Sequence, residues 1–336
     1  MSASCRCLAV ALVALGLSAC LPAAAEPFEF VVLGDIPYND SQAKSLGGYL
    51  GGQIRGSGTP FVIHYGDIKA GDGACSDSVL RETQQLLQGL APGGLFYTPG
   101  DNDWTDCDRA STGDPMDELE RLAYIRTLFF GQDLPSNPAW AAAWQTPELP
   151  ENARWRDGGL VFATLHIVGT DNGRSEILMS NPSTALDAVD ARDAANLEWL
   201  DLAFDAAQED GIEGLVVAMQ ADPFDLWHPD ARGIVCSAEE RVVCNPYLTF
   251  LERLTEGSAA LGKPVLLVHG STNQYCIERG FGGWRAPNLW RLNGPGDFVV
   301  VDAAVVRFDP SDRRAPFSVR LLLAGDPPID CAPWAG

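Results

Sequence analysis

Short apolar runs closed by Gly, Asp or Pro set the pattern of the first third of the chain. Residues 28–34 (FEFVVLG), 61–65 (FVIHY) and 95–98 (LFYT) each read as a strand running into a turn. Between them, 41–54 and 77–90 carry helical spacing, so the opening predicts β-α-β-α-β with carboxylates at the C-terminal strand ends. Later strands are predicted at 160–168, 215–219, 264–269, 297–308 and 318–323, and helices at 191–208 and 247–260. The last two strands follow one another without a helix, which predicts an antiparallel element added to the α/β core. Segments 104–158 and 221–245, rich in Trp, Pro and Asp with weak periodicity, read as insertions. There is no internal repeat and no linker rich in Gly and Ser, so one domain is expected from about residue 26 to 336.

The first 25 residues follow a different pattern. A single Arg6 precedes an apolar run from Cys7 to Ala19 and then small residues, as in a secretory signal; the run is too short to span a bilayer. Two processing routes are open. Leu17-Ser18-Ala19-Cys20 resembles a bacterial lipoprotein box, which would leave a lipid on Cys20 as the only membrane attachment. Ala23-Ala24-Ala25 fits ordinary signal cleavage. Either way the expected place is outside the cytoplasm: periplasm, cell envelope or secreted. Six cysteines follow the leader: Cys75, Cys107, Cys236, Cys244, Cys276 and Cys331. An even number in an oxidising compartment predicts disulfides, for which sequence alone allows 15 pairings. With no C-x-x-C pair, a zinc site is not expected.

Composition narrows the class. Hydrophobic residues make up 46% and charged ones 20%, a globular balance that excludes a disordered, coiled-coil or collagen-like chain. Acids outnumber bases 45 to 23, giving a net charge of −22. Phosphate backbones and anionic membrane surfaces repel such a chain, so neither is expected as its main partner.

Some of the acids sit where chemistry is expected. Asp35 (GDIPYND), Asp67 (GDIKAGDG) and Asp101 (PGDNDW) each follow a glycine at the end of an apolar run. Carboxylates at neighbouring strand ends converge on the crevice where α/β sheets bind ligands, and the preceding Gly34, Gly66 and Gly100 are expected to permit the sharp turn. One Gly-Asp pair is an ordinary loop. Three in register form a cluster whose mutual repulsion calls for compensation, one or two divalent cations being the natural kind.

At these residues the chain resembles the calcineurin-like metallophosphoesterases, whose motifs run D-x-H, G-D, G-N-H-[DE], a lone His, then G-H-x-H. The five positions fall between Asp35 and Asn273. The likeness is greatest to an exported branch with GDxPY and TPGDN[DE]WTDC signatures, here at 34–38 and 98–107. The resemblance implies an α/β fold with two β-sheets face to face and helices outside. It also implies two metals, sharing a bridging Asp, that activate a water against a small phosphate ester. Carried over residue by residue, Asp35 and Asp67 are unchanged, Asp101 replaces Asn, and Gln220, Ser271 and Asn273 replace three ligand His residues. Pro37 stands where another ligand His belongs. Asn102 replaces the His that serves the leaving group, and Asp103 keeps the acid that would orient it. The set Asp35, Asp67, Asp101, Gln220, Asn273 and Ser271 is all oxygen, which favours two ions of Mn, Mg or Ca over Zn. Lys69 and Tyr38 are the expected substrate contacts. The resemblance also brings the loops after Asp67 and Asp101 together, pairing Cys75 with Cys107. Cys236 with Cys244 would then close a short loop, and Cys276 with Cys331 would pin the C-terminus.

Two functions follow: an exported metal-dependent phosphoesterase-like hydrolase, or a catalytically silent relative serving as a ligand-binding or structural scaffold. The retained carboxylates speak for the first and the missing His residues for the second. Asn102 cannot titrate, so it withholds general-acid help that is typically worth about 10²–10⁴ in rate. Against the site roles stand ordinary ones: Gln220 bonding nearby backbone, Ser271 and Asn273 forming a turn, and Lys69 simply solvated. His64 and His269 read as core histidines, and the tryptophans of the first insertion as packing against the body.

Overall fold

The computed structural model describes residues 26–332 except 132, 133, 146, 148 and 273; the leader and Asn273 lie outside the described residues. The strands are β1 (Phe28–Leu33), β2 (Val62–His64), β3 (Leu95–Tyr97), β4 (Ala143–Trp144), β5 (Ala153–Asp157), β6 (Leu160–Thr164), β7 (Gly214–Ala218), β8 (Val265–His269), β9 (Cys276–Glu278), β10 (Leu289–Asn293), β11 (Ala304–Phe308), β12 (Phe317–Leu321) and β13 (Ile329–Asp330). They form a five-stranded sheet, β12-β11-β1-β2-β3, and an eight-stranded sheet, β13-β9-β10-β8-β7-β6-β5-β4. In the first, β1, β2 and β3 are parallel and β11 and β12 add antiparallel, as the helix-free end of the chain predicts.

The apolar pattern explains the layers. Strands buried on both faces alternate between two cores. Phe30, Val32, Phe61, Ile63 and Phe96 of the first sheet meet Trp155, Phe162, Val216, Leu266 and Trp290 of the second. The intervening Val31, Leu33 and Val62 face helices α1 (Asp40–Gly47), α2 (Tyr49–Gly56), α3 (Asp77–Gln88) and α4 (Glu118–Phe130). On the far side Val161, Leu215, Val217 and Leu267 pack against α5 (Pro182–Ala207) and α6 (Leu248–Leu261). Two sheets lie face to face with helices outside. No described helix is long and apolar enough to cross a membrane.

The differences from expectation have local causes. The single helix expected at 41–54 breaks at Gly48, whose φ −113° and ψ −107° leave the helical region. Segment 104–158 is more regular than its composition predicts. Asp117 caps α4 by accepting from Glu120 N, and Leu122, Ile125 and Phe129 lie buried at helical spacing. β4 and β5 extend the second sheet, and Trp155 stacks on Phe96 with ring centroids 3.5 Å apart. The insertion tryptophans 104, 140 and 155 are buried, as the packing role requires. α5 begins nine residues before the expected 191, where Asn181 accepts from Thr184 N and Pro182 takes the first turn.

Three disulfides join Cys75–Cys107, Cys236–Cys244 and Cys276–Cys331, with Cα separations of 5.6, 5.0 and 4.8 Å. Such bonds belong to an oxidising compartment. The last closes 55 residues and ties the short β13 to β9. Replacing Cys276 and Cys331 together by Ser is expected to cost about 2–5 kcal/mol. A lowered denaturant midpoint relative to wild type, and loss of that difference once dithiothreitol reduces both proteins, is the check.

Candidate functional site

Asp35, Asp67 and Asp101 follow β1, β2 and β3, and the structure brings all three to one end of the first sheet. The left-handed turn is made by the acids themselves: Asp35 and Asp67 have φ of 51° and 58°, values Asp tolerates better than most residues. Of the preceding glycines only Gly66 has a positive φ. Gly34 and Gly100 are there for close approach. A Cβ on either would lie 2.0 Å from the Tyr65 ring or from Asp67 Oδ1, respectively.

Donors from the protein fill the spaces between the carboxylates. The Tyr38 hydroxyl lies 2.9 Å from Asp67 Oδ2 and 3.2 Å from Asp35 Oδ1, and accepts from Asn102 Nδ2 at 3.1 Å. Asn102 N donates to Asp67 Oδ1 at 3.2 Å. Gln220, just past β7, donates Nε2 to Asp67 Oδ2 at 3.2 Å and to Asp101 Oδ1 at 2.9 Å. Its Oε1 accepts from Gly169 N at 2.7 Å, which fixes which end of the amide faces the acids. Thr170 donates to Asp101 Oδ2 at 2.8 Å. Ser271 takes part through its backbone N–H, 3.2 Å from both oxygens of Asp35.

Asp103 and Lys69 lie behind this layer. Asp103 is fully buried and accepts from Asp67 N, Ile68 N, Gly100 N and Tyr97 Oη at 3.1, 2.7, 2.8 and 2.7 Å. It clamps the β2 and β3 loops together. Lys69 is 4% exposed and donates to Ala70 O, so its ammonium is held inside rather than extended toward solvent. Burial pushes it down, and the charges of Asp103, Asp106, Asp67 and Asp101 oppose that push. His64 and His269 are core histidines, bonded to Ile36 O and Gly270 O.

The electrostatics follow from crowding. Burial, with the charge of Asp101 adding to it, raises Asp35 to about 7 against the hydrogen bonds from Ser271 and Tyr38. Burial and the charges of Asp101, Asp35 and Asp103 push Asp67 well above the usual carboxylate range. Asp106 rises to about 7 by burial and the nearby Asp101, although Arg109 and Lys69 oppose this. Arg109 also pairs with Asp106 and Glu176, closing a rim beside Thr170.

Thr170, Arg109 and Asp106 escaped the sequence reading. Thr170 lies in a left-handed turn whose residues 170, 171 and 172 have φ of 52°, 51° and 57°, and no apolar periodicity marks it. Asp106 was visible only as part of the TDC segment of a signature. Among the described residues, no group of three or more His, Cys, Asp or Glu is arranged to hold a metal ion.

No family model matches the chain, and no curated protein matches it. Among solved structures it is similar to GAP50, the anchor in the inner membrane complex of Plasmodium. That likeness has 10% identity and a TM-score of 0.45 and covers 91% of this chain and 90% of that one. It is also similar to the sulfate thiohydrolase SoxB of Thermus thermophilus in complex with glycerol, with 15% identity and a TM-score of 0.37. That likeness covers 85% of this chain but 43% of the other, so the chain spans less than half of SoxB's length. At such distances neither likeness bears on activity.

Proposed function

We propose that this protein is an exported, catalytically silent scaffold built on a metallophosphoesterase-like fold. The observation that carries this reading is the orientation of Gln220. The amide turns N–H, not oxygen, toward Asp67 and Asp101, and Gly169 N–H holds it that way. An amide ligates a cation through its oxygen. Tyr38 donates into the other gap, between Asp35 and Asp67. As they stand, these residues do not fit a pair of divalent ions bridged by Asp67. Donors of the chain itself, with buried Lys69, compensate the acids in part instead.

One observation keeps the hydrolase reading as the alternative. Asp35 and Asp67 are both pushed upward, so their ionised forms still favour an added cation. That reading requires Tyr38 to withdraw and Gln220 to turn over, breaking its bond to Gly169. Asn102 would then confine turnover to good leaving groups, since it has no proton to give.

Calorimetric titration of Mn, Mg and Ca is expected to give no saturable heat, with wild type and Asp67→Ala alike. A series of aryl phosphates and phosphodiesters of rising phenol pKa, assayed with each metal, is expected to show no turnover above the protein-free control. Metal-dependent turnover abolished by Asp67→Ala would overturn the scaffold reading.

A further inference from the structure

A pocket of about 220 Å³ lies at the end of the molecule away from the carboxylate centre. Pro264 precedes β8 and Asn288 precedes the parallel β10, and both line the pocket, whereas Gln220 and Ser271 follow β7 and β8. The length of β8, Val265–His269, separates the two places by roughly 15 Å. The lining holds three cations and no acid: Arg279 from the loop after β9, and Arg313 and Arg314 from the turn between β11 and β12. All three are exposed, so their charges are open to a ligand. In a chain of net charge −22 an acid-free cluster of this kind stands out.

The other arginines are almost all committed within the protein. Among the described residues only Arg232, Arg279, Arg313 and Arg314 have a guanidinium with neither an ion pair nor a hydrogen bond. Three of those four line this pocket. The two acids of the same turn lie outside the lining and are engaged. Asp309 accepts from Ser311 N at 3.0 Å and faces Arg307 at 3.5 Å, and Asp312 Oδ1 accepts from the backbone N–H groups of Arg314 and Ala315, both at 3.0 Å. Glu278, beside Arg279, pairs with Arg291 at 3.0 Å. The Arg279 guanidinium lies 5.3 Å over the Trp290 ring, which holds it at the pocket wall. Trp290 is 4% exposed, and its indole N–H has no acceptor among the described residues; unlike the nitrogens of Trp104 and Trp155, it is not sealed from solvent.

We propose that this pocket binds a small soluble anion of tetrahedral shape and double charge, of the phosphate or sulfate class. Guanidinium forks match pairs of oxygens on such a group. A tetrahedral anion offers oxygens to forks that arrive from different elements, whereas one planar carboxylate cannot serve three. Trp290 adds a neutral donor, and a cleft lined by one sign of charge concentrates the opposite one. A membrane surface is not the source of the group, because anionic lipid repels a chain of this net charge. The proposal stands whether or not the carboxylate centre hydrolyses anything, since the two places lie at opposite ends of the strands.

The test titrates the purified protein, in metal-free buffer at constant ionic strength, with inorganic phosphate, sulfate, acetate and chloride, read by calorimetry and thermal shift. In parallel the protein is sedimented with vesicles of phosphatidylcholine and phosphatidate. Phosphate, sulfate or both should bind one to one and raise the melting temperature, while acetate, chloride and the vesicles should not bind. Arg279→Gln, and separately Arg313→Gln combined with Arg314→Gln, should weaken binding about tenfold. Arg232→Gln removes the same charge outside the pocket and should leave binding unchanged. The proposal is overturned if neither dianion binds, if acetate or chloride binds as tightly, or if only the vesicles bind. It is equally overturned if the pocket variants, with circular dichroism unchanged, bind undiminished, or if Arg232→Gln weakens binding as much as Arg279→Gln.

Discussion

Asp103→Ala is expected to remove most of the protein's stability. Four donors converge on this fully buried carboxylate: three backbone N–H groups, of Asp67, Ile68 and Gly100, and the Tyr97 hydroxyl. Alanine leaves all four unpaired away from water, at about 1–3 kcal/mol each. A folded domain holds only about 5–15 kcal/mol in all. Asp103→Asn keeps the shape and one accepting oxygen, so it should lose roughly half as much. Urea unfolding midpoints of the three proteins decide the matter. A midpoint for Asp103→Ala equal to wild type would mean that the clamp across the two loops contributes nothing. The resemblance assigned this acid to orienting a histidine. With Asn102 in the histidine's place, the clamp alone accounts for the carboxylate.

Asp35→Asn is expected to do the opposite and stabilise the protein, but only at neutral to alkaline pH. The folded carboxyl has its pKa raised from 3.8 to about 7. A raised acid contributes stability that is present below its unfolded pKa and lost as pH rises through the folded one. Above pH 7 the ionised, buried carboxylate is therefore a burden. At about 1.4 kcal/mol per pKa unit its upper bound is roughly 4 kcal/mol. Asparagine carries no charge and keeps the contacts. Ser271 N donates to its oxygen, its amide donates to the Tyr38 oxygen, and Tyr38 donates to Asp67. A gain of about 1–3 kcal/mol at pH 8, fading to nothing near pH 4, is the expected profile. The buried His64, His166 and His269, each lowered to about 4, impose a separate dependence of opposite sign. Lowered bases contribute stability above pH 6.5 that is lost as pH falls toward 4. That part is common to both proteins and cancels in their difference. A loss at pH 8 that appears only with added divalent metal would instead mark Asp35 as a ligand.

The carboxylates were legible in the sequence because each closes an apolar strand, and strands buried on both faces announce themselves without alternation. Gln220 was legible as a position but not as an orientation. Which end of its amide faces the acids depends on Gly169 N–H, delivered by a turn that no periodicity predicts. α4 was hidden by composition: the Trp, Pro and Asp around it mask a run of helical spacing from Leu122 to Phe129.

The centre draws its acids from one sheet and part of its donors from the other. Asp35, Asp67 and Asp101 follow strands of the five-stranded sheet, whereas Gln220 and Ser271 follow strands of the eight-stranded one. Below them the two sheets meet through side chains that are almost wholly apolar. Apolar faces attract without fixing an alignment, but hydrogen bonds are directional. The polar centre therefore works as a registration pin: it sets how one sheet is aligned over the other at the end where the loops gather. Such a pin gives the acids a structural role that does not depend on turnover.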